Sequence, residues 1–464
     1  MVARALVAGV CLTAFYSLRA EVAFNPSVAV SATYVDNVSL VPSSQGPESD
    51  VLAQVNPGFS LTVKKPRLSA NVLYNMQNLF SANDSDRNQT FHQLGSNATA
   101  TLVQDALFLD LGATYTQQLI DPNRPLNGTN FFDVGNITDA AAAVVTPYYI
   151  GRFGRVKAEL RYSYGIVNYS GRDSAGTALD DSSYQQIRAR LGSSDSDALF
   201  AWGLQYRREE SSYDLSLPYA YAQATAELDY HAGARLSLLA RGGSESDLSV
   251  NLDAARLDSS FWSAGFRWQI DKLSGLEALA GHRFFGDSYF FKWDRQLARL
   301  RIGVEYQEEP GNSAQELARS QTRPPPGDQT PRLIDPSAAI TPDTFVSKDF
   351  SANLAVTGRV TEITFTGFRK NRKYLTVPGS ERYVGAGVGL SRRIGPRLTG
   401  AIFGTYEDGK TRENRDFKDI SGRLVLERTL GRALTGQFEV VHTQRSETPG
   451  YHVNYARLSL QASF

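Results

Sequence analysis

Past residue 20 this chain has no cysteine; the only one, Cys11, falls in an apolar stretch near the amino terminus. A thiol-free chain excludes a disulfide scaffold, a zinc–thiolate site and a cysteine nucleophile. Long apolar runs are missing as well. Nothing after the first 20 residues approaches the roughly 20 apolar residues of a membrane-crossing helix, and even Ala140–Val145 stops at Thr146-Pro147. Excess charge of one sign is absent too. Setting aside Arg4 and Arg19 leaves 46 of the 48 Lys and Arg against 48 Asp and Glu, which argues against a basic nucleic-acid surface. The five histidines, His92, His231, His282, His442 and His452, include no pair at a metal-ligand spacing. No metal, no cofactor and no catalytic residue is assigned, and the chain is not expected to be an enzyme.

What the chain does have is alternation. From Tyr451 to the terminal Phe464, Ala456, Leu458, Leu460, Ala462 and Phe464 share one parity, while Tyr455, Arg457, Ser459, Gln461 and Ser463 share the other. A period of two puts these sets on opposite faces of a strand. The pattern recurs. Val156, Ala158, Leu160, Tyr162 and Tyr164 oppose Lys157, Glu159, Arg161, Ser163 and Gly165, and Leu434, Gly436, Phe438 and Val440 oppose Thr435, Gln437 and Glu439. One oily and one watery face on every strand is the composition of a closed barrel with lipid outside and water within. A barrel strand ending on a terminal aromatic also reads as a signal for the insertion machinery of outer-membrane proteins, and Tyr455, Leu458, Leu460 and Phe464 are assigned to it. Residues 1–20, with Arg4 before the apolar stretch Ala5–Tyr16 and a cleavage position after Ala20, read as a secretory signal peptide.

The expected fold is therefore all-β: a single transmembrane antiparallel up-and-down β-barrel over residues 21–464, of about 22 strands (20 to 24). Short connections, such as Lys64-Lys65-Pro66-Arg67, Gln104-Asp105, Ala232-Gly233, Gly358-Arg359, Gly395-Pro396 and Gly431-Arg432, alternate with long ones at Val41–Asp50, Ser81–Asn88, Asp121–Thr138, Gly171–Leu179, Asp247–Asp258, Glu309–Asp343, Tyr374–Glu381 and Tyr406–Asn414. Short turns belong on the periplasmic side, so both termini are expected in the periplasm. The first strand is expected near Pro26, leaving no room before it for the plug of iron-siderophore receptors or the helical repeats of some polysaccharide channels. Any gate then has to come from the loops or a partner. Residues 309–343, with Arg323-Pro324-Pro325-Pro326-Gly327, are the expected long external loop, since a proline run cannot join a ladder.

Several blocks resemble a family of outer-membrane barrels associated with the PEP-CTERM and exosortase system and found in exopolysaccharide gene clusters. They are Pro26-Ser27-Val28 through Thr33-Tyr34-Val35-Asp36-Asn37, then Asn56-Pro57-Gly58-Phe59-Ser60-Leu61, Tyr74–Phe80, Asn83–Asn88 with Phe91-His92-Gln93-Leu94, Phe108-Leu109-Asp110, and Gly281-His282-Arg283-Phe284-Phe285-Gly286. The resemblance implies an outer-membrane location and a part in exopolysaccharide secretion. It carries no residue roles.

Charged residues opposite the apolar faces are the candidates for lining the lumen: Lys157, Glu159, Arg161, Arg188, Arg190, Glu227, Asp229, Arg235, Arg241, Arg267, Arg423, Glu427 and Glu439. Arginine outnumbers lysine 38 to 10. Forked guanidinium groups suit a pore for a hydrophilic or acidic glycan, yet the same residues in Arg–Glu pairs simply rigidify an inner wall, the reading given more weight. Trp262, Trp268 and Trp202 lie on apolar faces and read as girdle aromatics, whereas the strand around Trp293 does not alternate cleanly. Asn83–Asp86 and Asp195-Ser196-Asp197 are acidic turns short of a full calcium loop. The expected function is a channel for a hydrophilic glycan. The alternatives are a scaffolding barrel anchoring surface glycan or sorted proteins, and a general diffusion porin. Expected partners are outer-membrane lipid and lipopolysaccharide, the barrel-insertion machinery, the polysaccharide and a periplasmic export protein, and no nucleic acid.

Overall fold

In the computed structural model the chain forms one closed sheet, and the structure describes residues 21–121, 130, 132, 135–171, 179–195, 198–247, 257–312, 343–375, 377–413, 415–446 and 450–464. Twenty-two antiparallel strands are present. They run β1 (Glu21–Val35), β2 (Asp50–Lys65), β3 (Leu68–Ser81), β4 (Gln89–Val103), β5 (Leu107–Leu119), β6 (Ile137–Phe153), β7 (Val156–Tyr169) and β8 (Ser182–Ser193). Next come β9 (Phe200–Tyr213), β10 (Tyr219–His231), β11 (Leu236–Asp247), β12 (Leu257–Asp271), β13 (Ser274–Arg283), β14 (Gly286–Gln296) and β15 (Leu300–Gly311). The last are β16 (Phe345–Thr357), β17 (Thr361–Tyr374), β18 (Ser380–Gly395), β19 (Leu398–Lys410), β20 (Asp416–Thr429), β21 (Leu434–Ser446) and β22 (Tyr451–Ser463). Each strand pairs with its sequence neighbours, and β22 returns to β1 with Ser463 opposite Ser27 and Tyr455 opposite Val35. Closure leaves every strand paired on both sides.

The alternation in sequence is the alternation in space. Leu160 (52% exposed), Leu204 (50%), Trp262 (59%), Phe365 (47%) and Leu458 (61%) stand on the outside. Their chain neighbours point inward, as Glu439 (0%) and Arg445 (2%) do. Large apolar side chains standing exposed around the whole perimeter invert the arrangement of a water-soluble protein and match a barrel set in hydrocarbon. Trp202, Trp262 and Trp268 are on this outer face, 43%, 59% and 45% exposed. Trp293 joins them: it is opposite Leu276, shares a parity with Tyr289 and Phe291, and its indole nitrogen donates to Ser274 Oγ at 3.2 Å.

One end of the barrel carries the tight connections and the other the long ones. The turn end holds Pro66-Arg67, Gln104–Ala106, Gly154-Arg155 and their counterparts. The loop end includes a two-residue link, Phe284-Phe285, between β13 and β14, where Gly286 takes φ +112°. A side chain there would strain the backbone, so glycine allows the shortest loop-end connection.

Several boundaries differ from expectation. β1 begins at Glu21, ahead of Pro26, because residues 21–26 pair with β2 down to Glu21 opposite Lys64. β15 extends to Gly311, so Glu309 and Pro310 belong to a strand; Pro310 sits at a strand end, where a missing N–H is tolerated. β19 runs to Lys410, past Tyr406, because Lys410 pairs with both Arg382 and Asp416. Residues 1–20, the expected signal peptide, most of the expected loop 309–343, and Ser196 and Asp197 lie outside the described residues.

Candidate functional site on the inner wall

The inner face divides by height into an exposed half and a sealed half. In the turn-end half, consecutive strands place alternating charges side by side. Arg161 donates to Asp110 at 3.1 Å and lies 3.5 Å from Glu159. Its guanidinium also covers the Tyr148 ring at 3.9 Å, and that ring stacks on Phe108 with centroids 5.0 Å apart. Farther round, Arg190 reaches Glu227 at 3.2 Å, Arg241 lies 3.6 Å from Glu227 and 3.4 Å from Glu277, and Arg267 spans Glu277 at 2.9 Å and Asp229 at 3.5 Å. Glu159 and Arg190 are direct cross-strand partners, which joins the two groups into one belt from β5 to β13. These pairs meet water: the side chains of Arg190 and Arg267 are 57% and 46% exposed.

At the loop end several inner charges are buried, although Glu309 on β15, 3.7 Å from Arg207, keeps a side chain 49% exposed. Glu245, with a side chain 0% exposed, accepts from Tyr221 Oη at 2.9 Å, from Arg283 Nε and Nη2 at 3.1 and 3.0 Å, and from the amide of Phe284 at 2.8 Å. Arg283 also donates to Tyr221 Oη at 2.9 Å and to the carbonyl of Glu308 at 3.2 Å, linking β10, β11 and β15 from the end of β13. Nearby, Arg207 lies 2.9 Å from the buried Glu209, which also accepts from Gln186. Across the barrel, Glu439 holds Arg423 at 2.7 Å and also Arg457. Two further guanidiniums are sunk over rings, Arg372 on Phe345 at 4.4 Å and Arg445 on Phe417 at 4.2 Å. Fully buried charges are tolerated because each is paired or stacked.

Part of this seal is apolar and comes from a loop. Val38 and Leu40, between β1 and β2, are fully buried in one cluster with the inner-face residues Val35, Leu52, Leu79, Val441, Val453 and Tyr455. Asn37 shapes the inturned segment: its amide nitrogen donates to the carbonyls of Val41 at 2.8 Å and His452 at 2.9 Å, and its oxygen accepts from the Val41 amide at 3.0 Å. Leu40 itself has φ +50°, a left-handed conformation unusual for a residue with a Cβ. Phe132, from the connection before β6, packs on Tyr455 with centroids 6.4 Å apart. Asp36 then ties the segment to β22 by accepting from the Asn454 amide at 2.7 Å.

Of the thirteen lumen candidates, the structure places Lys157, Glu159, Arg161, Arg188, Arg190, Glu227, Asp229, Arg241, Arg267, Arg423, Glu427 and Glu439 on strands with inward parity. Arg235 is different. It lies in the turn before β11, where Nη1 donates to the Ile270 carbonyl at 3.3 Å, because a turn residue escapes strand alternation. Glu439 and Arg423 are part of the loop-end seal and not of the exposed belt. Among the insertion-signal residues, Leu458, Leu460 and Phe464 face outward at 61%, 42% and 73% exposure, but Tyr455 is buried inside at 4%. Sequence reasoning passed over Arg207, Glu209, Glu245, Arg283, Arg372 and Arg445. The available signal was their inward parity toward the loop ends of their strands.

Among the described residues no group of three or more histidines and carboxylates gathers that could hold a metal ion, and three of the histidines meet other side chains closely. His92 contacts Tyr74 Oη at 2.8 Å, His282 meets Asp287 at 3.1 Å, and His442 meets Asn454 at 2.7 Å. At Asn83–Asp86, the Asp84 side chain accepts from the Asp86 amide and lies 3.5 Å from Arg87, so a cation has a competitor already in place.

No protein-family model and no curated protein matches the chain. Solved structures do. The barrel is similar to the FrpB iron transporter from Neisseria meningitidis (F5-1 variant), with a TM-score of 0.54 and 10% identity over 95% of this chain and 82% of that one. It is similar to the ferric enterobactin receptor PfeA from Pseudomonas aeruginosa, at TM-score 0.52 and 11% identity over 95% and 80% of the two chains. The FpvAI–pyocin S2 complex gives TM-score 0.51 and 10% identity over 95% and 70%. At such identities the likeness is one of fold: this chain is a closed antiparallel β-barrel of 22 strands.

Proposed function

We propose that the protein is a bacterial outer-membrane barrel that passes a hydrophilic solute, with its short turns and both termini in the periplasm. Within that, we assign it to the secretion of exopolysaccharide. The observation that carries the transport reading is the contrast in exposure along the inner wall. Arg190 and Arg267 meet water in the turn-end half, while Glu209, Glu245 and Glu439 are sealed at the loop end. An inner wall wet toward the turn end and packed with buried short-range contacts toward the loop end fits a gated passage. A scaffold needs no water-facing belt of paired charges. An apolar outer face with aromatics supports the membrane setting, and alternating short and long connections support the orientation. The exopolysaccharide assignment rests on the sequence resemblance, and paired guanidinium and carboxylate groups suit many weak contacts with a hydroxyl-rich chain.

Two experiments test it. In planar bilayers, a variant with the loop-end seal broken (Val38→Asp, Leu40→Asp) conducts more than the wild type; equal silence in both refutes passage. Deleting the gene lowers the amount or length of surface polysaccharide, and an unchanged polysaccharide refutes secretion. A second reading, uptake of a ferric chelate, draws on the likeness of fold to an iron transporter, FrpB, and a ferric enterobactin receptor, PfeA. Growth on a ferric chelate as sole iron source decides it, since loss on deletion would support uptake.

A further inference from the structure

Cations on the outer face are distributed unevenly at the loop end. Among the described residues, outward Lys and Arg in the loop-end half of the wall are Arg208 on β9 and six on the adjacent strands β16 to β20: Lys348, Arg369, Lys373, Arg382, Lys410 and Lys418. Arg208 is neutralised by a bond to Glu210, two residues along its own strand. Five of the six lie in two rows, and Lys373 stands one step nearer the loop end, between Val346 and Ser380. One row across the sheet runs Lys348, Asn371, Arg382, Lys410, Asp416, and the next runs Phe350, Arg369, Val384, Asp408, Lys418. At about 4.8 Å between strands the rows extend roughly 19 Å. Three carboxylates share this face: Asp408 lies 3.3 Å from Arg382, the buried Glu308 lies 3.1 Å from Lys348, and Asp416 stands opposite Lys410. Arg369, Lys373, Arg382 and Lys418 remain exposed.

Immediately below the rows toward the turn end, the same face becomes apolar, with Phe365, Val388, Leu390, Ile402, Tyr406 and Ile420 exposed. Cations directly above a lipid-facing surface sit at headgroup depth. A ligand matching both zones has acyl chains beneath and several phosphates above. We propose that the outer face of β16 to β20 binds the phosphorylated glucosamine headgroup of lipopolysaccharide, with its acyl chains on the apolar zone. The proposal rests on the outer-membrane orientation given above, which puts the loop end in the outer leaflet.

The test uses the full-length protein in neutral detergent and native mass spectrometry. Bisphosphorylated lipid A, monophosphorylated lipid A, phosphatidylglycerol and inorganic phosphate are offered separately. Wild-type protein retains bisphosphorylated lipid A above the other three. The triple variant Lys373→Gln, Arg382→Gln, Lys418→Gln binds it roughly a hundredfold more weakly, at about 1 kcal/mol for each cation removed and a tenfold step per 1.4 kcal/mol. Arg208→Gln binds like the wild type. Equal retention by the wild type and the triple variant overturns the proposal, as does equal retention of phosphatidylglycerol by the wild type or complete displacement by inorganic phosphate. If the triple variant does not fold, Arg382→Gln and Lys418→Gln singly give the same readout. Cell fractionation separately decides the membrane, so failure of the location and failure of the site are told apart.

Discussion

Replacing Arg283 with alanine removes one guanidinium and leaves a carboxylate in a sealed place without its cation. Glu245 keeps the Tyr221 hydroxyl and the Phe284 amide but loses two charge-assisted bonds, at 3.1 and 3.0 Å, and the Glu308 carbonyl loses its donor as well. With side chains 11% and 0% exposed, this is a buried pair, and truncating one member costs about 3–5 kcal/mol. The internal standard is Arg190–Glu227, with side chains 57% and 21% exposed, where Arg190→Ala costs about 0–1 kcal/mol. Urea titration of the folded barrel in lipid vesicles, followed by tryptophan fluorescence and by heat-modifiable gel migration, measures both. The double variant Arg283→Ala, Glu245→Gln recovers part of the loss, because no unpaired charge stays behind, with a coupling of about 0.5–3 kcal/mol. If Arg283→Ala costs no more than Arg190→Ala, the division of the inner wall into a sealed and an exposed half is wrong.

Three other outcomes are expected. Leu458→Arg, on the outer face, destabilises the barrel in lipid by about 2–4 kcal/mol at mid-membrane depth, while Ser459→Arg on the inner face is tolerated; equal costs in the same urea assay would reverse the assigned faces. At Gly385 a Cβ would stand 2.2 Å from the Phe368 ring on the inner face, so Gly385→Ala costs about 1–3 kcal/mol. Adding Phe368→Ala restores most of it, as measured by the same titration. Arg190→Glu adds negative charge to the water-facing belt and shifts the reversal potential in a KCl gradient toward cation preference, whereas Arg372→Gln, sunk over Phe345, leaves the selectivity unchanged.

The strands were legible because a barrel wall imposes one rule at every position: a residue meets hydrocarbon or it meets the interior. Leu458 and Ser459 differ in that respect alone, and their parity assigns them correctly. Strand ends were less legible. Pro310 and Lys410 look like loop residues, and only pairing with Val346 and with Arg382 and Asp416 shows that the ladders reach them. Charge on the inner face was readable, but its depth was not. Glu227 and Glu439 both oppose apolar faces in sequence, yet one sits in the water-facing belt and the other beneath packed chain. That distinction is made by Val38, Leu40 and Phe132, loop residues folded inward, and by Arg283, which crosses three strands to reach its partners. Such contacts have no periodicity. The Gly281–Gly286 block gains a reason here: Arg283 and the Phe284 amide hold Glu245, and Gly286 turns the link.

The seam between β1 and β22 pairs residues 27–35 with 455–463, whereas the β1–β2 hairpin continues down to Glu21. These partners are separated by nearly the whole polypeptide, so the entropy of bringing them together is met late, after local hairpins have formed. Until that moment the growing sheet carries two raw margins able to capture any extended segment. The Phe464 amide, which donates to the Pro26 carbonyl at 2.9 Å, is the final rung of that join. Without β22 the sheet would remain an open ribbon, its two margins exposed to aggregation.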